Sequence, residues 1–182
     1  MPTRYQAHRQ RWEDCTACPL HRGRTQVVLA RGHLPADVLF LGEAPGASED
    51  ILGRPFVGPA GKLLDDITST ALPSHITTAY TNLVACIPRD EQATKIAEPP
   101  KQAIQACHPR LTELVQLCGP QLVVCVGALA TKYMADEGLD DCTVISIIHP
   151  AAILRMDISQ RGLARQRVMV ALEDAATELA PF

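Results

Sequence analysis

The segment Gln121-Leu-Val-Val-Cys-Val126 constrains the fold of this chain more than any other, because five consecutive apolar residues follow the glutamine. A strand with one face in water alternates apolar and polar side chains, whereas a strand buried on both faces is apolar throughout. Strands of the second kind belong to parallel sheets that helices cover on both sides. The segment therefore predicts an α/β fold with a central, mainly parallel sheet.

Other apolar runs of strand length lie at residues 37–41, 80–85 and 143–148. Segments with helical spacing of apolar residues are predicted as helices at 60–70, 101–118, 127–135 and 161–179. Strands that alternate with helices indicate right-handed βαβ units. We therefore predict a single-domain α/β/α sandwich over residues 1–182, with a four-stranded sheet and its ligand site beyond the carboxyl ends of the strands.

The composition excludes several classes of protein. Apolar residues make up 47% of the 182 residues and the net charge is −3, so the chain is neither disordered nor uniformly basic. No apolar run approaches the 18 residues of a membrane span, and Met1–Trp12 is polar and basic rather than a secretory signal. We expect a cytoplasmic monomer with no membrane partner. Residues 1–35 carry six arginines against two acids, which is either a solvated surface or a local basic face.

Seven cysteines in a reducing compartment need an explanation other than disulfides. Three fall in apolar helix and strand positions or at a strand edge and are predicted to be buried as small hydrophobes: Cys118, Cys125 and Cys142. The other four suffice for a zinc site or an iron–sulfur cluster, and their spacing does not separate the two: Cys15, Cys18, Cys86 and Cys107. Thioredoxin-type chemistry is disfavoured because the Cys-x-x-Cys pair precedes the first predicted strand.

Three motifs fall where strands are predicted to end. Gly42-Glu-Ala-Pro-Gly46 follows the first strand, Asn82 lies near the end of the second, and His149-Pro150 follows the last. The glycine-rich loop matches neither a P-loop nor the dinucleotide fingerprint, so by itself it is equally a structural turn. His149 is the best placed for function among six histidines.

One set of motifs occurs in a fixed order along the chain: Cys15-x-x-Cys18, Gly42–Gly46, Gly53-Arg-Pro-Phe-Val-Gly58 with Ala60-Gly61, Thr81-Asn82, Cys86, Cys107 and His149-Pro150-x-x-x-Leu154-Arg155. This set resembles the family 4 uracil-DNA glycosylases, iron–sulfur members of the uracil-DNA glycosylase superfamily. The resemblance extends from about Cys15 to Arg155. It implies an enzyme that flips uracil out of DNA and hydrolyses its N-glycosidic bond, leaving an abasic site for base excision repair.

The resemblance also implies how uracil is bound. Phe56 stacks on the flipped base, and the amide of Asn82 reads the uracil edge, donating to O4 and accepting from N3–H. Cytosine offers the reverse pattern and is rejected. Backbone groups of Ala44 and Gly46 contact uracil or water. Apart from the resemblance, Asn82 would be interpreted as a turn-capping residue and Phe56 as a core aromatic, although the proline and glycines around Phe56 make it a poor core position.

Roles in the chemistry are implied in the same way. His149 donates to uracil O2 and stabilises the departing anion, as an oxyanion-hole donor does. Glu43 positions the attacking water, or else only anchors its loop. Leu154 wedges into the duplex and Arg155 holds phosphate. The four cysteines Cys15, Cys18, Cys86 and Cys107 bind a structural [4Fe–4S] cluster, to which the N-terminal arm, residues 1–26, contributes the first two.

Departures from the family pattern keep a second hypothesis open. Twenty residues separate Cys86 from Cys107, Ile87 replaces a common arginine, and Ala151 replaces a common serine. The stretch between Ala135 and Thr143 is short and lacks an Arg-Gly hairpin. The alternative is therefore a catalytically weak or inactive protein of the same fold that binds uracil or another modified base in DNA. A cysteine-ligated metalloprotein of unrelated purpose is the third.

Overall fold

The computed structural model describes residues 3–90, 95–134 and 142–179. Most of the short stretch between Ala135 and Thr143 lies outside these residues. The elements in chain order are α1 (Arg4–Trp12), a 3₁₀ helix (Pro19–Arg22), β1 (Arg31–Gly32), β2 (Val38–Gly42), α2 (Ala47–Leu52), α3 (Pro59–Ala71), β3 (Thr78–Asn82), α4 (Lys101–Cys118), β4 (Leu122–Val126), α5 (Ala128–Met134), β5 (Thr143–Ile147), α6 (Pro150–Arg155) and α7 (Ile158–Ala176).

The sheet has the strand order β1-β3-β2-β4-β5. Strands β3, β2, β4 and β5 are parallel, and every residue of β2 and β4 is buried. The predicted α/β fold is thus confirmed. The predicted strand count of four is wrong, because Arg31–Gly32 adds a fifth strand antiparallel to β3. Two residues are too few to produce a periodic signal in the sequence.

Alternate residues of β2 point to opposite faces of the sheet and begin two separate cores. Val38 and Phe40 pack with residues of α3, α6 and α7 on one face. Leu39 and Leu41 pack with residues of α4 and α5 on the other. This is the predicted three-layer α/β/α arrangement. The helices on both faces leave the carboxyl ends of the strands open at one edge of the molecule.

All four predicted helices are present, as α3, α4, α5 and α7. The bounds of α4 match the prediction, and α3 differs by one residue at each end. Three helices were not predicted: α1, α2 and α6. The strand predicted at 80–85 lies at 78–82, since Leu83 and Val84 are buried but leave the ladder. Helix α1 begins with a capping box between Thr3 and Gln6 and contacts α4 through a 2.7 Å bond from Trp12 Nε1 to the Glu113 carboxylate.

The three cysteines predicted to be core residues divide into two kinds. Cys118 and Cys125 are fully buried, and burial raises the pKa of their thiols to about 12 and about 11. Cys142 is only half-buried, so that prediction is wrong for this residue; it lies just before edge strand β5, where one side remains open. Among the described residues, no helix combines the length and the apolar character needed to cross a membrane.

Candidate active site

A cavity of about 690 Å³ opens where β2, β3, β4 and β5 end. Its volume lies in the range of small-molecule sites, roughly 300–1,000 Å³. Seven of the predicted site residues line it: Glu43, Ala44, Gly46, Phe56, Asn82, His149 and Arg155. Leu154, also predicted, is not in the lining; its side chain is 36% exposed on the adjacent helix α6. The structure therefore brings together residues that are more than 100 positions apart in the sequence.

Asn82 is the last residue of β3 and lies directly opposite Gly42 of β2. A Cβ atom on Gly42 would stand 2.4 Å from Asn82 Oδ1 and 2.5 Å from Phe56 Cζ, so only glycine allows the amide and the ring to meet there. The backbone carbonyl of Asn82 accepts a 2.6 Å hydrogen bond from Arg110. Its side-chain amide has no hydrogen-bond partner within the described ranges, which leaves both amide atoms available to a ligand.

Phe56 contributes to the core and to the cavity at once. Only 6% of it is exposed, and its ring packs on Tyr80 with the centroids 5.9 Å apart. The expectation that flanking prolines and glycines keep Phe56 out of the core is wrong, because the turn directs the ring inward onto the sheet. Its φ of +54° is unusual for a residue with a side chain, and such strain persists only where neighbouring contacts hold it.

Two charged side chains hold the Phe56 turn. Arg31 donates to the carbonyl of Pro55 at 2.7 Å and to that of Phe56 at 3.2 Å. Glu49 Oε1 accepts hydrogen bonds from the backbone N–H groups of Val57 and Gly58, at 3.1 and 2.9 Å. The turn is therefore held from both sides by contacts within the fold.

Close packing of α3 against this turn gives a prediction for Gly61. A Cβ atom at residue 61 would lie 1.9 Å from the Phe56 carbonyl oxygen, so Gly61→Ala must displace the turn or the helix. We expect the free energy of unfolding to fall by about 1–3 kcal/mol, measured by urea denaturation. The control is Gly162→Ala, at a helical glycine with open space around it, which should stabilise the fold by about 0.5–1 kcal/mol. Equal effects of the two changes would contradict the packing argument.

His149 lies between β5 and α6 and caps the helix. Its Nδ1 accepts a 3.1 Å hydrogen bond from the N–H of Ala151. A nitrogen that accepts carries no proton, so in the neutral ring the proton is on Nε2. Burial, and then the charge of Arg155, lower the pKa of His149, against a smaller opposite effect of Glu49. The cavity thus contains a neutral imidazole with one donor.

Glu43 follows β2 directly and is half-buried. Burial raises the pKa of its carboxyl group, and the charge of Glu98 raises it further. Two neighbouring backbone positions shape the same wall of the cavity. Gly46 begins helix α2, and Ala44 packs on Val84 and its neighbours.

Several lining residues were not given a role from the sequence. Glu49 lies in the third position of α2, three residues after Gly46, where an acid commonly bonds to nearby backbone N–H groups. Lys132 of α5, together with Ile96 and Glu98, lies at the mouth of the cavity, and all three are exposed. No local pattern marked these three, because the segment around residues 95–98 reaches the cavity only through the tertiary fold.

Four cysteines meet at a second cavity, which is almost wholly apolar: Cys15, Cys18, Cys86 and Cys107. Burial raises the pKa of the Cys18 and Cys86 thiols. Arg24 donates to Cys86 Sγ at 3.4 Å and to the carbonyl oxygen of Cys15. This donor set and its cationic neighbour fit a thiolate-bound cluster. No three His, Cys, Asp or Glu side chains of the described segments are placed to hold one metal ion, but a cluster has four irons, each with its own thiolate.

The arginines of the first 35 residues do not form one basic face. Arg31 is only 14% exposed, pairs with Asp65 at 2.6 Å and lies 3.7 Å above the Tyr80 ring. Arg24 faces the cysteine cavity, while Arg9 and Arg11 pair with glutamates. Arg24 and Arg31 are therefore used within the fold, whereas the other four arginines of this segment are exposed: Arg4, Arg9, Arg11 and Arg22.

A model of the uracil DNA glycosylase superfamily matches residues 30–173 of this chain, which include every lining residue of the large cavity. The chain belongs to that superfamily. A Type-4 uracil-DNA glycosylase of Thermotoga maritima is 34% identical over 160 residues, which are 80% of this chain and 81% of the relative.

Further Type-4 relatives of the superfamily align over less of their own length. Those of Pyrobaculum aerophilum and Saccharolobus solfataricus are 34% and 37% identical over 68% and 66% of this chain, but the chain covers only 61% and 54% of them. The crystal structure of wild-type SMUG2 from Pedobacter heparinus superposes with a TM-score of 0.63 at 11% identity, covering 79% of this chain and 77% of that one. At that identity the likeness shows the fold alone. The superfamily match and the Type-4 relatives confirm the family resemblance that the motifs indicated.

Proposed function

We propose that this member of the superfamily is a monofunctional uracil-DNA glycosylase, which hydrolyses the bond between uracil N1 and the deoxyribose C1′ and leaves an abasic site. One observation carries the proposal. A free buried amide (Asn82), an aromatic ring (Phe56) and a neutral imidazole donor (His149) line one cavity at the carboxyl ends of the strands. The names of the curated relatives support the same reaction and disfavour the alternative of a protein that binds without turnover.

Recognition of the base follows from the Phe56–Asn82 pair. The flipped uracil stacks against the preorganised ring, and the amide of Asn82 donates to O4 while accepting from N3–H. Cytosine presents a donor where uracil presents O4, so two donors would face each other in the buried site. That arrangement leaves polar groups unpaired and is costly. Backbone groups of Ala44 and Gly46 complete the wall around the base or the water.

Departure of uracil depends on His149. When the C1′–N1 bond breaks, its electron pair leaves with uracil and negative charge grows on O2. The Nε2–H of His149 donates to that oxygen, and its direction is preset by the bond that Nδ1 accepts from Ala151. A preorganised donor of this kind stabilises the transition state more than the ground state.

The sugar, which gains positive charge, is captured by water. Glu43 in its carboxylate form orients that water toward C1′ and accepts its proton, which later passes to the released uracil anion. A carboxylate whose pKa is raised by burial and by Glu98 is a better base than one in water.

The charge interaction between Glu43 and Glu98 predicts a shift in the pH profile of kcat/KM when Glu98 is replaced. Glu98→Gln removes a negative charge near Glu43, so the pKa of Glu43 should fall, although burial still raises it. The carboxylate form then persists to lower pH, and the acid limb of kcat/KM should move to lower pH. The control is Glu173→Gln, an exposed residue of α7 that does not line the cavity. An acid limb in Glu98→Gln that stays at the wild-type pH would contradict the assigned coupling.

Contacts with DNA beyond the base are assigned to the end of α6. Arg155, which lines the cavity, holds a phosphate, and the exposed side chain of Leu154 enters the gap left by the flipped base. Phosphate contacts make affinity fall with salt.

The same proposal assigns a [4Fe–4S] cluster to Cys15, Cys18, Cys86 and Cys107. When bound, the cluster would supply a cross-link between the N-terminal arm, residues 1–26, and the segment from Cys86 to α4, with no redox step in base excision. The proposed enzyme is a single domain over residues 1–182 and acts as a monomer. It acts in the cytoplasm, where the reducing environment keeps the ligand thiols free of disulfides.

The deciding experiment uses an oligonucleotide with one uracil, incubated with the protein and then treated with alkali, which breaks the strand at an abasic site. We expect a break at uracil and none at thymine or cytosine in the same position. An intact uracil strand, whether or not the protein binds it, would overturn the proposed reaction; tight uracil-dependent binding without a break would support the binding protein instead.

A further inference from the structure

Arg110 is a fully buried cation that the proposed reaction does not use. It lies on α4, three residues after Cys107, and only 1% of it is exposed. Its Nη1 donates to Thr81 Oγ1 at 2.9 Å, and its Nη2 donates to the carbonyl oxygens of Asn82 and Leu83 at 2.6 and 2.9 Å. Its Nε–H has no hydrogen-bond partner in the part of the chain that the structure describes.

Within residues 3–90, 95–134 and 142–179, no carboxylate balances the charge of Arg110. None of its hydrogen-bond partners is acidic, and none of the ion pairs between described residues includes it. The acid closest along α4, Glu113, instead engages Trp12, His8 and Arg11. An unpaired buried charge costs several kcal/mol in folding, so a residue of this kind needs a negative partner, and the described part of the chain supplies none.

In the proposed holoprotein, a negatively charged cluster lies next to Arg110 and balances its positive charge. Arg110 lines the same apolar cavity as the four candidate ligands Cys15, Cys18, Cys86 and Cys107. Four thiolates give a cysteine-bound [4Fe–4S] cluster a net negative charge, and nearby charges and hydrogen bonds tune its reduction potential. A buried cation with one free N–H suits the wall of such a site.

We propose that Arg110 is the counter-ion of the cluster and, through its two carbonyl contacts, the positioning residue of the base-reading end of β3. The inference rests on the proposed function, since it takes the cluster and the role of Asn82 from there. Arg110 lines the cluster cavity, and its guanidinium bonds the backbone of Asn82 and Leu83. The charge of the cluster thereby acts, through Arg110, on the backbone that positions the Asn82 amide.

The test compares the purified holoenzyme with Arg110→Gln, Arg110→Lys and Arg24→Gln. Arg24 is the matched control, because it also donates to a candidate ligand, Cys86 Sγ, but not to Asn82 or Leu83. Four quantities are measured: iron per chain, the reduction potential of the cluster, the rate of chelator-driven iron loss, and kcat and KM for uracil release.

Arg110→Gln should move the reduction potential to a more negative value, since a positive charge near the cluster is lost, and should speed chelator-driven iron loss roughly 10- to 100-fold. It should also lower kcat/KM by a similar factor. Arg24→Gln should change the potential and iron loss with little effect on kcat/KM. Arg110→Lys keeps the charge but not the planar fork, so its potential should stay near that of wild type while kcat/KM falls.

The possible outcomes separate this inference from the proposed function. A wild-type protein that excises uracil but holds no iron overturns the cluster assignment and this inference with it. A wild-type cluster whose potential and iron loss are unchanged in Arg110→Gln overturns the inference alone. If Arg110→Gln does not fold, Arg110→Lys decides: wild-type kcat/KM in that variant contradicts the positioning role, and a loss of activity with a retained potential supports it.

Discussion

Replacing His149 with alanine is expected to lower kcat for uracil release roughly 100- to 1,000-fold, because one preorganised donor to the developing anion is lost. The Nε2–H is the donor that the helix cap directs into the cavity, and no other described imidazole lines it. KM should change little, since the charge on O2 grows only as the bond breaks. Single-turnover rates with a uracil oligonucleotide, cleaved with alkali after each time point, measure the effect.

The matched control for this experiment is His75→Ala. His75 is exposed between α3 and β3, away from the cavity, so its loss should leave kcat unchanged. A His149→Ala protein that folds and releases uracil at the wild-type rate would remove His149 from the chemistry. A loss seen equally in both variants would point to a general effect on the fold.

Asn82→Ala is expected to reduce discrimination between uracil and cytosine by about 1–3 kcal/mol, which is roughly 5- to 150-fold, together with a similar loss of kcat/KM on uracil. The reason is that the alanine removes both the donor and the acceptor of the amide. Competing uracil and cytosine oligonucleotides measure the ratio directly. Asn82 is the only asparagine in the chain.

Gln160→Ala controls for the loss of an amide as such, because Gln160 is exposed on α7 and lines no cavity wall. The structure predicts that this variant retains wild-type discrimination. If Asn82→Ala kept the wild-type preference for uracil, base reading would have to be assigned to backbone groups of the Glu43–Gly46 loop instead.

How far the sequence predicts this structure depends on the length over which a pattern repeats. Helix α4 has five turns of periodic apolar residues, and both its ends were predicted. The six residues of α2 or α6 contain less than two turns, and the two residues of β1 contain no period at all. Short elements take their structure from contacts that a local pattern does not contain.

For the site, the resemblance predicted which residues meet but not how they are held. From its proline and glycine neighbours Phe56 was expected to be a poor core position, whereas its ring packs in the core from a turn with a φ of +54°. Arg31 was counted as surface charge, although it bonds the Pro55 and Phe56 carbonyls. Arg110 received no role from the sequence, because helical periodicity does not distinguish a solvent-facing arginine from one that reaches a strand end.

The order of the proposed active-site residues along the chain has a consequence for protein synthesis. Glu43, Asn82 and His149 come from the ends of three different strands, and the donor belongs to the last one in the sequence. A nascent chain that has left the ribosome as far as β4 already has the base-reading amide but not the leaving-group donor. Such a chain also lacks α6 and α7, whose apolar side chains cover one face of β2, so activity can begin only after the final edge strand and these helices have joined the sheet.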